Sequence, residues 1–112
     1  MSDSSSAPSF DKQTLRAHAQ QACALLKTLA NEDRLLLLCM LVDTQKNVSE
    51  LESLTGITQP TLSQQLGVLR REKMVETQKV GKHVFYQIQD EHATDILRTL
   101  YGIFCAQEPP AQ

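Results

Sequence analysis

The chain has 112 residues, a formal net charge of −2, and five aromatic residues with no Trp among them. That length bounds it to one domain with a modest, aliphatic, Leu-rich core. No apolar run approaches the roughly 18 residues that a membrane span needs.

The opening MSDSSSAPS has neither a basic start nor an apolar segment. It reads as a short disordered tail rather than a secretory signal. The expectation is therefore a cytoplasmic protein whose thiols are kept largely reduced. The expected extents are a tail over 1–9, a folded domain over 10–107 and a second tail over 108–112.

The first helix is expected from Phe10 to Leu29, because Leu15, Ala19, Ala22, Leu26 and Leu29 recur at steps of four and three. Asn31 suits the cap of a second helix, with Glu32 and Asp33 in its first turn. That helix, Glu32 to about Val42, contains LLLLCMLV and is apolar all round, as a central buried helix would be. Asp43 to Asn47 reads as a polar connection. Ser49 with Glu52 has the spacing of a capping box opening a short third helix. Thr55-Gly56-Ile57 is then a turn in which glycine permits a positive φ.

Thr58 is expected to cap the fourth helix, with Pro60 tolerated in its first turn. Leu62, Leu66 and Leu69 face inward. Pro60, Gln64, Gly67, Val68 and Arg71 point the other way, with Thr61 and Ser63 at the edges. Val75–Val80 and His83–Ile88 are rich in β-formers, and Gly81-Lys82 between them suits a two-residue hairpin turn. Asp90 caps a last helix from Glu91 to about Gln107, whose apolar set covers more than half its circumference. One small domain cannot hide that surface, so the first and last helices together suggest a dimer interface. The fold class is thus mainly α with a β-hairpin wing: four helices, a hairpin and a fifth helix, a winged helix-turn-helix.

The distribution of charge fits that order better than the total does. Residues 59–84 carry five basic side chains (Arg70, Arg71, Lys73, Lys79, Lys82) against two acidic ones (Glu72, Glu76), a local excess of +3. A solvated helix face followed by a charged turn would look the same, but a local positive field is also what phosphates require. The fourth helix offers Gln59, Thr61, Ser63 and Gln64 near its N-terminus, the end that enters a major groove. Gln pairs with adenine in bidentate fashion, while Thr and Ser reach base edges or phosphate. Arg70 and Arg71 further along, and Lys79, Lys82 and His83 on the hairpin, are placed for the DNA backbone or an adjacent minor groove. The expected partner is double-stranded operator DNA with an inverted repeat, one half-site per protomer of a homodimer.

The three cysteines are Cys23, Cys39 and Cys105. Each is compatible with the commonest fate of a free cysteine, a small buried apolar residue. Cys23 flanks the first stripe and Cys39 lies inside the leucine run. Cys105 falls off the apolar stripe of the last helix, near Tyr101 and Arg98, where a nearby cation favours thiolate.

The peptides LLKTLANEDRLLLLCML, SELESLTGITQPTLSQQLGVLRREKMV and VGKHVFYQI make the chain resemble the ArsR/SmtB family of small dimeric winged-helix repressors over about residues 20–106. LLLLCML around Cys39, TQPTLSQQLGVLR, and YGIFCAQE around Cys105 make it most similar to the persulfide-responsive BigR/SqrR/YgaV-like group, HlyU included. The resemblance implies a repressor whose reduced form binds operator DNA. It also implies that Cys39 and Cys105 become linked by persulfide or polysulfide sulfur, which releases the DNA.

Two alternatives stay open: a metal-responsive repressor of the same fold, and one that senses peroxide through a simple disulfide. Metal-sensing relatives use a Cys-x-Cys pair where this chain has Val48-Ser49-Glu50-Leu51. Asp90 and His92 match the opening of another family metal site, whose later positions fall on Ile103 and Ala106. The expectation is therefore no metal and no cofactor. An enzyme is not expected either: there is no CxxC, and His18, His83 and His92 fall on separate elements.

Overall fold

The computed structural model describes residues 10–105. The expected tails at 1–9 and 108–112, and the last expected helical residues at 106–107, lie outside the described residues.

Helix α1 is Lys12–Leu29, with the Asp11 side chain accepting the Thr14 N–H at 3.2 Å. Helix α2 is Glu32–Met40, capped as expected by Asn31, whose Oδ1 accepts the Arg34 N–H at 3.0 Å. It ends two residues before Val42. It is also less enclosed than an all-round apolar helix should be: Leu37 and Leu38 are fully buried, but Leu36 is 40% exposed and Cys39 is half-buried.

The connection after α2 contains a strand that the sequence does not announce. Strand β1, Lys46–Asn47, pairs antiparallel with the hairpin. Helix α3 is Val48–Thr55, and its capping box is Asn47 with Glu50, not Ser49 with Glu52. The Asn47 Oδ1 accepts the Glu50 N–H and the Glu50 Oε1 accepts the Asn47 N–H, both at 2.9 Å. Asn47 thus ends the strand and starts the helix, which moves the cap two residues forward. Gly56 closes α3 at φ 76°.

Helix α4 is Thr61–Arg71, with Pro60 at the cap position and no side-chain cap there, so Thr58 is not the cap. The Gln59 Oε1 instead accepts the Ser63 N–H at 3.1 Å. Leu62, Leu66 and Leu69 are all buried, as the spacing requires. The helix ends in a Schellman arrangement: the Lys73 N–H donates to the Arg70 carbonyl at 3.1 Å and the Met74 N–H to the Leu69 carbonyl at 2.9 Å. Lys73 takes the left-handed position, φ 61°, that usually belongs to glycine.

Strands β2 (Val75–Val80) and β3 (His83–Ile88) match the expected limits and pair in antiparallel register from Val75↔Ile88 to Val80↔His83. Gly81, φ 64°, opens the two-residue turn. The sheet order is β1-β3-β2. Helix α5 is Glu91–Phe104, with the Asp90 Oδ1 accepting the His92 N–H at 2.9 Å. One core joins α2, α3, α4 and the base of the hairpin to Ala93 and Leu97 of α5.

The α1 stripe is not covered by its own chain. Leu15 and Leu26 are each 57% exposed, and only Leu29 of that stripe is buried.

Candidate functional site

Two regions carry the expected functional residues. The first is the outer surface of α4 and the wing. Gln59, Ser63 and Gln64 are exposed and Thr61 is half-buried, all at the N-terminal end of α4. Arg70 and Arg71 are exposed in its last turn. Lys79, Lys82 and His83 are exposed on the hairpin, with the His83 ring edge-on to Phe85 at 6.2 Å between centroids. The start of α4 offers free N–H groups, and the cations stand in its last turn and on the hairpin, all of them exposed. Gln59 is already engaged by Ser63, whereas the exposed Gln64 side chain on α4 has no hydrogen-bond partner among the described residues.

The second region lies between α2 and α5. Cys39 in the last turn of α2 and Cys105 at the C-cap of α5 are free thiols, the first half-buried and the second exposed. Burial pushes the Cys39 thiol above the usual cysteine range, and the neighbouring Cys105 thiolate adds to that rise. Cys105 lies 66 residues from Cys39 in sequence, yet the helix that it caps faces Cys39 across one groove. A groove of about 340 Å³ runs past Cys39, lined by Val42 of the α2 end and by Leu97, Arg98, Tyr101 and Gly102 of α5. The Cys105 N–H donates to the Tyr101 carbonyl at 2.8 Å, so its thiol follows one helical turn beyond the groove wall. The third thiol, Cys23, is exposed on α1 rather than buried as its place beside the stripe suggests.

Two cations that join these regions went unnoticed in the sequence. Arg34 donates Nε to the Thr28 carbonyl at 2.7 Å, Nη2 to the Lys27 carbonyl at 3.2 Å and Nη1 to the Gln65 Oε1 at 3.0 Å. It satisfies the Thr28 carbonyl at the end of α1, adds a second donor to the Lys27 carbonyl that the Ala30 N–H also reaches at 3.3 Å, and holds α4 to α2. Lys46 donates Nζ to the Met40 carbonyl at 2.8 Å and to the Asp43 Oδ1 at 3.2 Å. That ties the end of α2, one residue past Cys39, to β1 and so to Tyr86 on the wing. The available signal was modest: Arg34 directly precedes the leucine run, and Lys46 directly precedes the capping Asn47.

A metal finds little here. Asp90 is occupied as a helix cap, and among the described residues no group of three or more His, Cys, Asp or Glu comes together to hold an ion. Among the same residues no helix is long and apolar enough to cross a membrane.

Two helices across a glycine turn, the second with a buried leucine stripe and a polar outer face, followed by a basic hairpin, define a winged helix-turn-helix regulator. The chain belongs to the arsR family of bacterial regulatory proteins: that family's model matches residues 31–77. It is 45% identical over 104 residues to the biofilm growth-associated repressor of Xylella fastidiosa (strain 9a5c), which covers 93% of this chain and 91% of the relative. Its fold superposes on the crystal structure of the transcriptional repressor BigR from Xylella fastidiosa with a TM-score of 0.82 at 45% identity, covering 88% of this chain and all of that one. It also superposes on reduced HlyU from Vibrio cholerae N16961 with a TM-score of 0.78 at 38% identity, covering 83% and 98% of the two chains.

Proposed function

We propose that the protein is a cytoplasmic, homodimeric transcriptional repressor. In this reading it holds operator DNA while Cys39 and Cys105 are free thiols and releases it when reactive sulfur links them. The observation that carries the reading is the groove that sets Cys39 of α2 against Leu97, Arg98, Tyr101 and Gly102 of α5, the helix whose C-cap, one turn further on, is Cys105.

The chemistry balances without a cofactor. The exposed Cys105 thiolate attacks the outer sulfur of a persulfide R–S–SH. The S–S electron pair leaves on RS⁻, giving Cys105–S–SH. The Cys39 thiolate then attacks the Cys105 sulfur and expels HS⁻. In sum, two thiols and one persulfide give the linked pair, RSH and H₂S: the protein loses two electrons and the persulfide gains them. A second persulfide lengthens the chain on Cys105 before Cys39 closes it, giving a trisulfide, two RSH and one H₂S.

A link of this kind biases an equilibrium only if the DNA-binding and released states differ in sulfur separation. Helix α2 is suited to transmit such a difference. Arg34 holds its first turn to α4, and Lys46 holds its last turn to the wing. A shift of a few kcal/mol is enough to matter.

The uncovered faces support the dimer. Leu15 and Leu26 on α1, and Ile103 and Phe104 on α5, are more than half exposed in the single chain. Pairing through those helices would present two α4 helices to half-sites about 34–36 Å apart. Gln59, Thr61, Ser63 and Gln64 would then face base edges. Arg70, Arg71, Lys79, Lys82 and His83 would face the DNA backbone.

The test is mass spectrometry of the reduced protein after glutathione persulfide. The expected product joins Cys39 to Cys105, with zero or more added sulfurs. Hydrogen peroxide in parallel distinguishes the simple-disulfide version of the reading. Thiols left unmodified by both reagents would refute it.

A further inference from the structure

We propose that the groove between α2 and α5 selects its sulfur donor by charge, with Arg98 docking the carboxylate of an anionic organic persulfide while the donor's outer sulfur meets the thiol pair. The inference rests on the dithiol reading above and adds the class of donor.

Three observations converge on it. The groove of about 340 Å³ falls within the range that takes small molecules, roughly 300–1,000 Å³, and at its lower end. Its walls are mainly apolar (Val42, Leu97, Tyr101), and Arg98 is the one charged side chain among its lining residues. Arg98 is exposed and, among the described residues, forms no ion pair. A guanidinium in that state offers a planar pair of donors to a carboxylate.

The third observation is the placement of these residues on α5. Arg98, Gly102 and Cys105 are spaced four and three apart, so they share one side of the helix. Ile96, Leu100 and Ile103 make a separate stripe at the same spacing. The groove side thus stays distinct from the apolar stripe expected at the dimer interface. Gly102 leaves the stretch between cation and thiol without a side chain: nothing lies within 4 Å of where a Cβ would stand. A donor seated on Arg98 therefore meets no side chain at position 102 on its way to Cys105.

In the reaction, the Cys105 thiolate takes the outer sulfur, and the S–S pair departs on the donor's inner sulfur. The leaving thiolate still carries the carboxylate that Arg98 held. Arg98 binds one substituent of the donor and takes no part in the bond changes, so it is a docking residue.

The experiment compares the rate of linking by N-acetylcysteine persulfide with that by its methyl ester, which lacks the carboxylate. It uses the full chain as wild type, Arg98→Gln and Arg98→Lys at low and high salt. An exposed ion pair predicts a wild-type preference of about 1.5- to 5-fold for the acid at low salt, shrinking at high salt. Arg98→Gln should erase that preference, so that acid and ester react at equal rates, and Arg98→Lys should keep part of it. The ester rate doubles as the check that the variant is folded. Equal wild-type rates for acid and ester would overturn the proposal. So would an Arg98→Gln variant slowed equally toward both, since Arg98 would then act on the thiol and not on the donor. If neither donor links Cys39 to Cys105 in the wild type, the dithiol reading itself fails, a result distinct from a loss of selectivity.

Discussion

Arg34 should matter to stability and to DNA binding for the same geometric reason. Its guanidinium makes three hydrogen bonds, at 2.7 Å to Thr28, 3.2 Å to Lys27 and 3.0 Å to Gln65. Hydrogen bonds from a charged donor contribute about 1.5–3 kcal/mol each, and partial exposure places these at or below the lower end. Lysine at this position keeps the charge but reaches one acceptor rather than three. Arg34→Lys should therefore cost about 1–2 kcal/mol, and Arg34→Ala about 2–4 kcal/mol, with the Thr28 carbonyl left bare and the Lys27 carbonyl held by the Ala30 N–H alone. Gln65→Ala removes only the link to α4 and should cost about 1 kcal/mol.

Urea unfolding at one fixed protein concentration measures these differences, since dimer dissociation makes the midpoint concentration-dependent. A double-mutant cycle between Arg34 and Gln65 isolates their coupling, and both variants should also loosen operator binding. If Arg34→Lys unfolds at the wild-type midpoint with wild-type operator affinity, the idea that Arg34 clamps α4 to α2 is wrong.

Gln64→Ala should weaken specific operator binding by about 1–3 kcal/mol while leaving the unfolding midpoint unchanged, because the side chain is exposed and without a partner; unchanged affinity would count against α4 as the reading helix. Lys73→Gly should stabilise the fold by about 0.5–1 kcal/mol, the left-handed penalty of a side chain set against the greater freedom of unfolded glycine. Cys39 should be alkylated only at higher pH than an ordinary cysteine. Cys105→Ser should lower that pH without restoring the ordinary profile, since burial is the larger cause. The sign for stability follows: the neutral Cys39 thiol contributes fully below the ordinary cysteine pKa, and that contribution fades as pH rises through its raised value.

The elements that declare themselves locally were legible in the sequence. The hairpin limits came out to the residue, because Gly81 punctuates two runs of β-formers. The buried face of α4 followed from three leucines at helical spacing. What was missed depends on partners distant in sequence. Lys46–Asn47 has no strand signal of its own and exists because Tyr86 and Phe85 pair with it. That pairing in turn moved the α3 cap from Ser49 to Asn47. The exposed stripe of α1 shows spacing identifying a face without saying what covers it. Arg34 and Lys46 went unnoticed because the helix-end carbonyls they bond leave no mark in the sequence. The nearness of Cys39 and Cys105 was beyond spacing altogether, and entered only through likeness to a family.

The central claim is that joining Cys39 to Cys105 releases DNA, and the most direct measurement is operator affinity for the two separated forms of one preparation. Reduced and linked protein, resolved and checked by mass, are titrated against the same operator at the same salt. The account predicts that the linked form binds at least tenfold more weakly, that a reducing agent restores it, and that Cys39→Ser and Cys105→Ser proteins treated with persulfide keep the affinity of the reduced form. Equal affinity of the linked and reduced forms would contradict it.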